Sequence, residues 1–156
     1  MVMRPILCAD DDPITLKILE KHLPAFGFEP TLVTNGIAAL DILSHRDAPQ
    51  FAILDWMMPG YTGIEVCEAI AGLPHRAFMY VLILSSRVSP EDVQAGLIMG
   101  ADDYLKKPID LLEIRTRLGL GARVCELRCE LHEVRRTVVD LALEISTASS
   151  QPSADE

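Results

Sequence analysis

The stretch Phe51-Ala-Ile-Leu-Asp55-Trp-Met-Met-Pro59-Gly60 is an apolar, β-like run that ends on a carboxylate just before a turn. A carboxylate at the C-terminal end of a buried parallel strand is held rigidly and exposed at one edge, where open α/β sheets place their ligands. Asp10-Asp11-Asp12 ends a second such run. Two such ends side by side gather negative charges that repel one another unless a cation compensates them, and an oxygen-loving divalent metal such as Mg²⁺ fits that need. Acids that merely solvate loops are the alternative for either site taken alone. Two such sites, each behind a hydrophobic strand, argue for the metal.

Working outward, short β-rich runs at 6–9, 31–34, 51–54, 81–84 and 104–106 alternate with segments of helical period at 14–26, 37–44, 64–73 and 91–99 and a fifth opening at Asp110. Alternation with short connections predicts βαβ units and a parallel sheet covered on both faces, with right-handed crossovers. Asn35, Ser89-Pro90 and Asp110 read as starts of the second, fourth and fifth helices. The loops that matter then hold Asp10 to Asp12, Asp55 to Gly60, and Ser85-Ser86.

Composition bounds the class. The 156 residues are 49% hydrophobic and 5% aromatic, which suits one compact domain with an appendage. Lys and Arg number 14 against 23 Asp and Glu, a net −9 that disfavours a nucleic-acid surface. No apolar run approaches the roughly 20 residues of a membrane span, and the N-terminus carries no signal-peptide pattern, so the chain reads as cytoplasmic. Cys8, Cys67, Cys125 and Cys129 have no framework spacing, and reduced thiols are expected.

The ordered set Asp10-Asp11, Asp55, Ser85 and Lys107-Pro108, spaced 45, 30 and 22 residues apart, resembles the receiver domain of two-component response regulators. Met58-Pro59-Gly60 followed by Gly63, and Gly100-Ala-Asp-Asp-Tyr104-Leu-Lys-Lys107-Pro108, strengthen the resemblance, which covers about residues 4–118. It implies a five-stranded, doubly wound α/β fold of flavodoxin-like order 2-1-3-4-5. It implies that Asp55 accepts a phosphoryl group from a sensor histidine kinase or phosphotransfer protein, and that the domain is a relay and no enzyme. Asp10, Asp11, Asp55 and the main-chain carbonyl of Met57 would hold Mg²⁺. Lys107 would pair with Asp55 and then with the phosphoryl oxygens. Ser85 and Tyr104 would form the switch, the plain alternatives being a surface turn serine and a half-buried strand aromatic. A cis Lys107-Pro108 bond would aim the lysine into the acidic pocket, and Ile109 departs from the aromatic residue common after this proline.

Other residues are set aside. Asp102-Asp103 precedes a strand and so falls at the opposite end of the sheet from Asp55. Asp12 reads as a helix cap, with tuning of the metal site as its alternative. Ser86 and Arg87 lie beside the pocket entrance. His22, His45, His75 and His132 lack strand-end placement.

Beyond the receiver, Leu120, Val124, Leu127, Leu131, Val134, Val138, Leu141 and Ile145 are spaced 4, 3, 4, 3, 4, 3, 4, a coiled-coil seam that predicts a homodimer. A helix folding back on its own domain is the alternative. Leu111, Ile114 and Leu118 fall out of phase with the seam, so a break or kink is expected at Gly119-Leu-Gly121. Cys125, Cys129 and His132 lie on neighbouring turns but lack a fourth ligand for a metal. The reading is therefore receiver 1–118, coiled-coil helix 119–146 and flexible tail 147–156, relaying to an output domain absent from the chain, with cyclic-di-nucleotide turnover as one candidate. Two rivals are a stand-alone adaptor acting through protein contacts and an aspartyl-phosphate hydrolase, against which Met57 stands where that family needs a second Asp.

Overall fold

In the computed structural model, which describes residues 2–86 and 89–150, five parallel strands form one sheet in the order β2-β1-β3-β4-β5. They are β1 Arg4–Ala9, β2 Phe28–Val33, β3 Phe51–Asp55, β4 Tyr80–Ser85 and β5 Asp103–Lys106. The helices are α1 Pro13–His22, α2 Gly36–Ser44, α3 Gly63–Ile70, α4 Pro90–Ile98 and α5 Leu111–Ser149. Short 3₁₀ turns follow α1 and α3. The expected fold class and strand order are both present.

Alternating side chains on the central strands build two cores. Ile6, Cys8, Phe51, Ile53, Leu82 and Leu84 join Leu16 and Leu19 of α1 and Ile114 and Leu118 of α5 on one face. Leu7, Ala52, Leu54, Val81 and Ile83 join Ala39, Leu43, Val66 and Ile70 on the other. Burial on both faces explains why β3 and β4 read as continuous apolar runs. Strand β2 starts earlier than expected and contains Pro30, which an edge strand tolerates because its missing N–H breaks no ladder on the open side.

Helix starts follow local chemistry. Asp12 caps α1, accepting from the Ile14 and Thr15 N–H groups, and Asn35, Ser89 and Asp110 cap α2, α4 and α5 as expected. Thr62 and Glu65 form a capping box on α3, a start the sequence reading missed.

The expected break at Gly119 to Gly121 is absent: α5 is continuous over 39 residues. Gly121 is buried because the helix lies directly on Tyr80, whose ring a Cβ at that position would meet at 2.5 Å. The phase change comes from two faces on one continuous helix. Ile114, Leu118, Gly121 and Cys125 pack on the domain, whereas Leu120, Leu127 and Leu131 are exposed. Docking continues to His132, which meets the Phe78 ring edge-on at 5.1 Å, and Glu126 reaches Arg4 at 2.9 Å. The helix also runs through Ser149, past the point where the flexible tail was expected to begin, and residues 151–156 lie outside the described part.

Candidate functional site

Parallel register brings the acidic ends together. Ala9 pairs with Leu54, so Asp10 and Asp55, one residue further on each strand, are neighbours at the C-terminal edge. One carboxylate oxygen from each of Asp10, Asp11 and Asp55 lies within 4.8 Å of the other two, the one such group of metal-ligating side chains among the described residues. Asp10 and Asp55 are buried and Asp11 is exposed.

Lys107 closes the site from β5. Ser85 pairs with Lys106, the Lys107 N–H donates to the Ser85 carbonyl at 2.8 Å, and the Lys107-Pro108 bond is cis, as expected. The Lys107 Nζ lies 2.7 Å from Asp10 Oδ2 and 3.2 Å from Asp55 Oδ1. Its first close partner is therefore Asp10 rather than Asp55. Burial, then the Asp10 charge, push the Asp55 carboxyl up to about 6, with Lys107 opposing. Burial works against the Lys107 charge, but Asp10 and then Asp55 outweigh it and leave its pKa raised.

The donor set fits a hard divalent cation. Asp10 Oδ2 touches the lysine as an ion pair, yet it is buried without a well-directed hydrogen bond. Its other oxygen accepts from the Asp12 N–H at 2.9 Å. A buried carboxylate oxygen in that state favours a metal bond, and three carboxylates within reach of one another match oxygen-ligand preference. Met57 sits in the loop after β3 with its side chain exposed, so only its backbone is available to the site.

Ser85 ends β4 and is buried. Tyr104 is half-buried in β5, its ring edge-on to Trp56 at 6.1 Å and beside Gly96. Ser86 borders a cleft of about 440 Å³ that opens past Lys107 between Ile14, Pro108 and Ile109. Arg87 lies outside the described residues. Gly63 of α3 lies against the Asp55 carbonyl and donates its N–H to the Trp56 carbonyl at 2.9 Å, so a small residue is needed directly behind the acid.

Asp102 and Asp103 are at the opposite end of the sheet, as expected, and there they anchor a structural network of hydrogen bonds and ion pairs. Asp102 accepts from Arg76 at 2.9 Å, Arg128 at 2.8 Å and the Val81 N–H at 2.8 Å. Asp103 accepts from the Tyr80 hydroxyl at 3.0 Å and from Arg117 at 3.2 Å. The sequence reading missed this network because its basic members are scattered, Arg76 and Arg128 each 26 residues from Asp102 and Arg117 14 residues from Asp103, and share no motif. Cys125 and Cys129 pack against the domain, and with His132 on Phe78 they form no ligand cluster.

Such a fold, with its chemistry gathered where strand order reverses, defines a doubly wound α/β module whose site lies at the sheet edge. The chain belongs to the response regulator receiver domain family, whose model matches residues 6–119. Phosphorylation on an aspartate is that family's general function, and its members are generally relays rather than catalysts. The chain is 34% identical over 139 residues to the response regulator MprA of Mycobacterium avium, covering 89% of this chain and 60% of that protein. It thus spans about 60% of the length of that curated relative. The receiver domain of the Francisella response regulator 1452 is 28% identical, with a TM-score of 0.71, covering 77% of this chain and 97% of that one. The receiver domain of the sensor histidine kinase PA1611 from Pseudomonas aeruginosa, with a magnesium ion coordinated in its active-site cleft, shares the fold at 23% identity and a TM-score of 0.69, covering 80% of this chain and 99% of that one.

Proposed function

We propose that Asp55 is the phosphoacceptor, taking its phosphoryl group from a phosphohistidine on a sensor histidine kinase or phosphotransfer protein in the cytoplasm. The observation that carries this reading is the placement of Asp55, buried at the end of β3, with Lys107 at 3.2 Å and the Asp10 and Asp11 oxygens within 4.8 Å. In the transfer, the N–P bond to the donor histidine breaks and an O–P bond forms to Asp55, giving an acyl phosphate. Such a transfer asks for in-line positioning and neutralised oxygens more than for covalent chemistry. Asp10, Asp11, Asp55 and the main-chain carbonyl of Met57 are the proposed holders of Mg²⁺, which when bound neutralises phosphoryl charge. Lys107 leaves its carboxylate partners to pair with a phosphoryl oxygen, and the Ser85 hydroxyl donates to another.

The added charge of roughly −1.5 to −2 then acts on a local packing choice. Movement of Ser85 towards the phosphoryl group opens space beside Tyr104, whose ring packs on Trp56. The signal is relayed through α5, which pairs two copies along Leu120, Val124, Leu127, Leu131, Val134, Val138, Leu141 and Ile145. The spacing of these positions supports the pairing, as does the exposure of Leu120, Leu127, Leu131, Val134, Val138, Leu141 and Ile145. A paired helix of this kind can drive many outputs, cyclic-di-nucleotide turnover included.

Trp56, the one tryptophan, adjoins Asp55 and reports on it. Fluorescence titration with Mg²⁺ and then beryllofluoride is expected to respond in two steps for the natural chain, with no beryllofluoride step for Asp55→Asn. A chain that gives no beryllofluoride step sinks the proposal.

A further inference from the structure

The exposed seam and the Asp102 network meet on one residue, Arg128. Between Ile114 and His132 one side of α5 is committed to the receiver, and the seam points away from it. From Val134 to Ser149 every residue is exposed, a segment of about 24 Å at 1.5 Å per residue. An isolated helix of that length is marginal in water, and this one carries an apolar stripe along its length. A second copy covers that stripe with matching spacing. In a parallel pair, Glu130 faces Arg135 of the second copy, a favourable contact, but Arg123 faces Arg128 of the second copy, an unfavourable one.

The structure removes the unfavourable contact. Arg128 Nη2 lies 2.8 Å from Asp102 Oδ1, and its Nη1 donates to the Met79 carbonyl at 2.8 Å, so the guanidinium is turned towards the receiver with its charge compensated. Asp102 is fixed in turn by Arg76 and the Val81 N–H, and its side chain is only 11% exposed. We infer that Asp102 acts as a latch which, by holding Arg128 against the receiver, presents the α5 seam to a second copy of this chain in parallel register. The inference rests on the dimeric stalk of the proposed function and adds a residue outside the seam that sets its pairing.

The two partners of the latch then behave differently. Asp102→Asn leaves the Arg128 charge uncompensated and facing Arg123 of the second copy. Arg128→Gln removes the charge and the latch together. Sedimentation equilibrium of the full chain over a concentration series is expected to show a dimer whose dissociation constant rises about two- to fivefold in Asp102→Asn, the scale of two exposed like-charge pairs. It stays within twofold in Arg128→Gln, and Arg123→Gln restores tight pairing in the Asp102→Asn background. The difference fades in high salt. Leu141→Cys crosslinks to itself under mild oxidant, as a parallel register requires.

Equal weakening by Asp102→Asn and Arg128→Gln makes the contact merely structural and overturns the inference. So does no change in either, a monomeric natural chain throughout, or a dimer in which Leu141→Cys does not crosslink to itself. If Asp102→Asn does not fold by circular dichroism, Arg123→Gln alone decides. No change is expected while the latch compensates Arg128, and clear tightening overturns it. The Trp56 response to Mg²⁺ and beryllofluoride, read on the same samples, separates failure of the latch from failure of the receiver reading.

Discussion

At the residue scale, the site holds more negative charge than its lysine can balance. The Asp55 carboxyl, raised from 3.8 to about 6, binds its proton more tightly in the folded state than in the unfolded one. The stability this contributes is complete below about pH 4 and is lost as pH rises through 6. Denaturant titrations of the metal-free chain are therefore expected to show stability falling between pH 4 and 6 on account of this group. Asp55→Asn flattens that slope and raises Tm at pH 7 by about 2–4 °C, equivalent to about 1 kcal/mol after allowance for solvent screening. A metal-free Asp55→Asn that melts below the natural chain contradicts the account. Lys107→Ala works in the opposite direction, leaving Asp10 and Asp55 without their cation. It is expected to cost about 1–2 kcal/mol without metal and less in millimolar Mg²⁺, measured by thermal melts with and without chelator. Asp10, Asp55 and Lys107 were legible in the sequence because strand ends and a Lys-Pro pair are local signals. That Lys107 lies nearer Asp10 than Asp55 was not, since it depends on side-chain geometry across three strands.

At the element scale, α5 shows what periodicity can and cannot reveal. The 4-3 spacing from Leu120 to Ile145 was readable, and so was the phase mismatch with Ile114 and Leu118. Two glycines at the mismatch suggest a break, yet Gly121 serves a close approach to Tyr80 and Gly119 has open space around it. Both substitutions test this. Gly121→Ala is expected to destabilise by about 1–3 kcal/mol through overpacking on the Tyr80 ring. Gly119→Ala is expected to stabilise by up to about 1 kcal/mol, as in any exposed helix interior. Paired thermal melts check the contrast, and a hinge at this point would instead make both costly to function. The start of α3 is hard to read for another reason: the Thr62 and Glu65 box opens a short helix whose first residue, Gly63, also fits the preceding loop.

At the scale of the whole molecule, the receiver and α5 as far as His132 form one packed body, and from Val134 onwards the helix is exposed, where the proposed pairing would cover it. A chain ended after His132 keeps Cys125, Arg128 and the Phe78 contact while losing Val134, Val138, Leu141 and Ile145. It is expected to bind Mg²⁺ and beryllofluoride as the full chain does and to be monomeric, as light scattering and Trp56 fluorescence would show. Failure of this shortened chain to fold would mean that pairing supports the receiver itself. The alternation of strands and helices made the sheet legible from sequence, because period and turn signals are written every few residues. The docking of α5 as far as His132 was not, because it is fixed by residues as far apart as Arg4 and Glu126, separated by 122 positions.

That last contact has a bearing on how the chain is made. Strand β1 leaves the ribosome well before the helix that completes the cover of its face of the sheet, whose Glu126 lies 122 positions after Arg4. Until then Ile6, Cys8, Phe51 and Leu82 are covered from the helical side only by α1 and the 3₁₀ turn that follows it. A nascent chain halted before α5 thus displays half an apolar sheet to its surroundings, the kind of surface on which chaperones act.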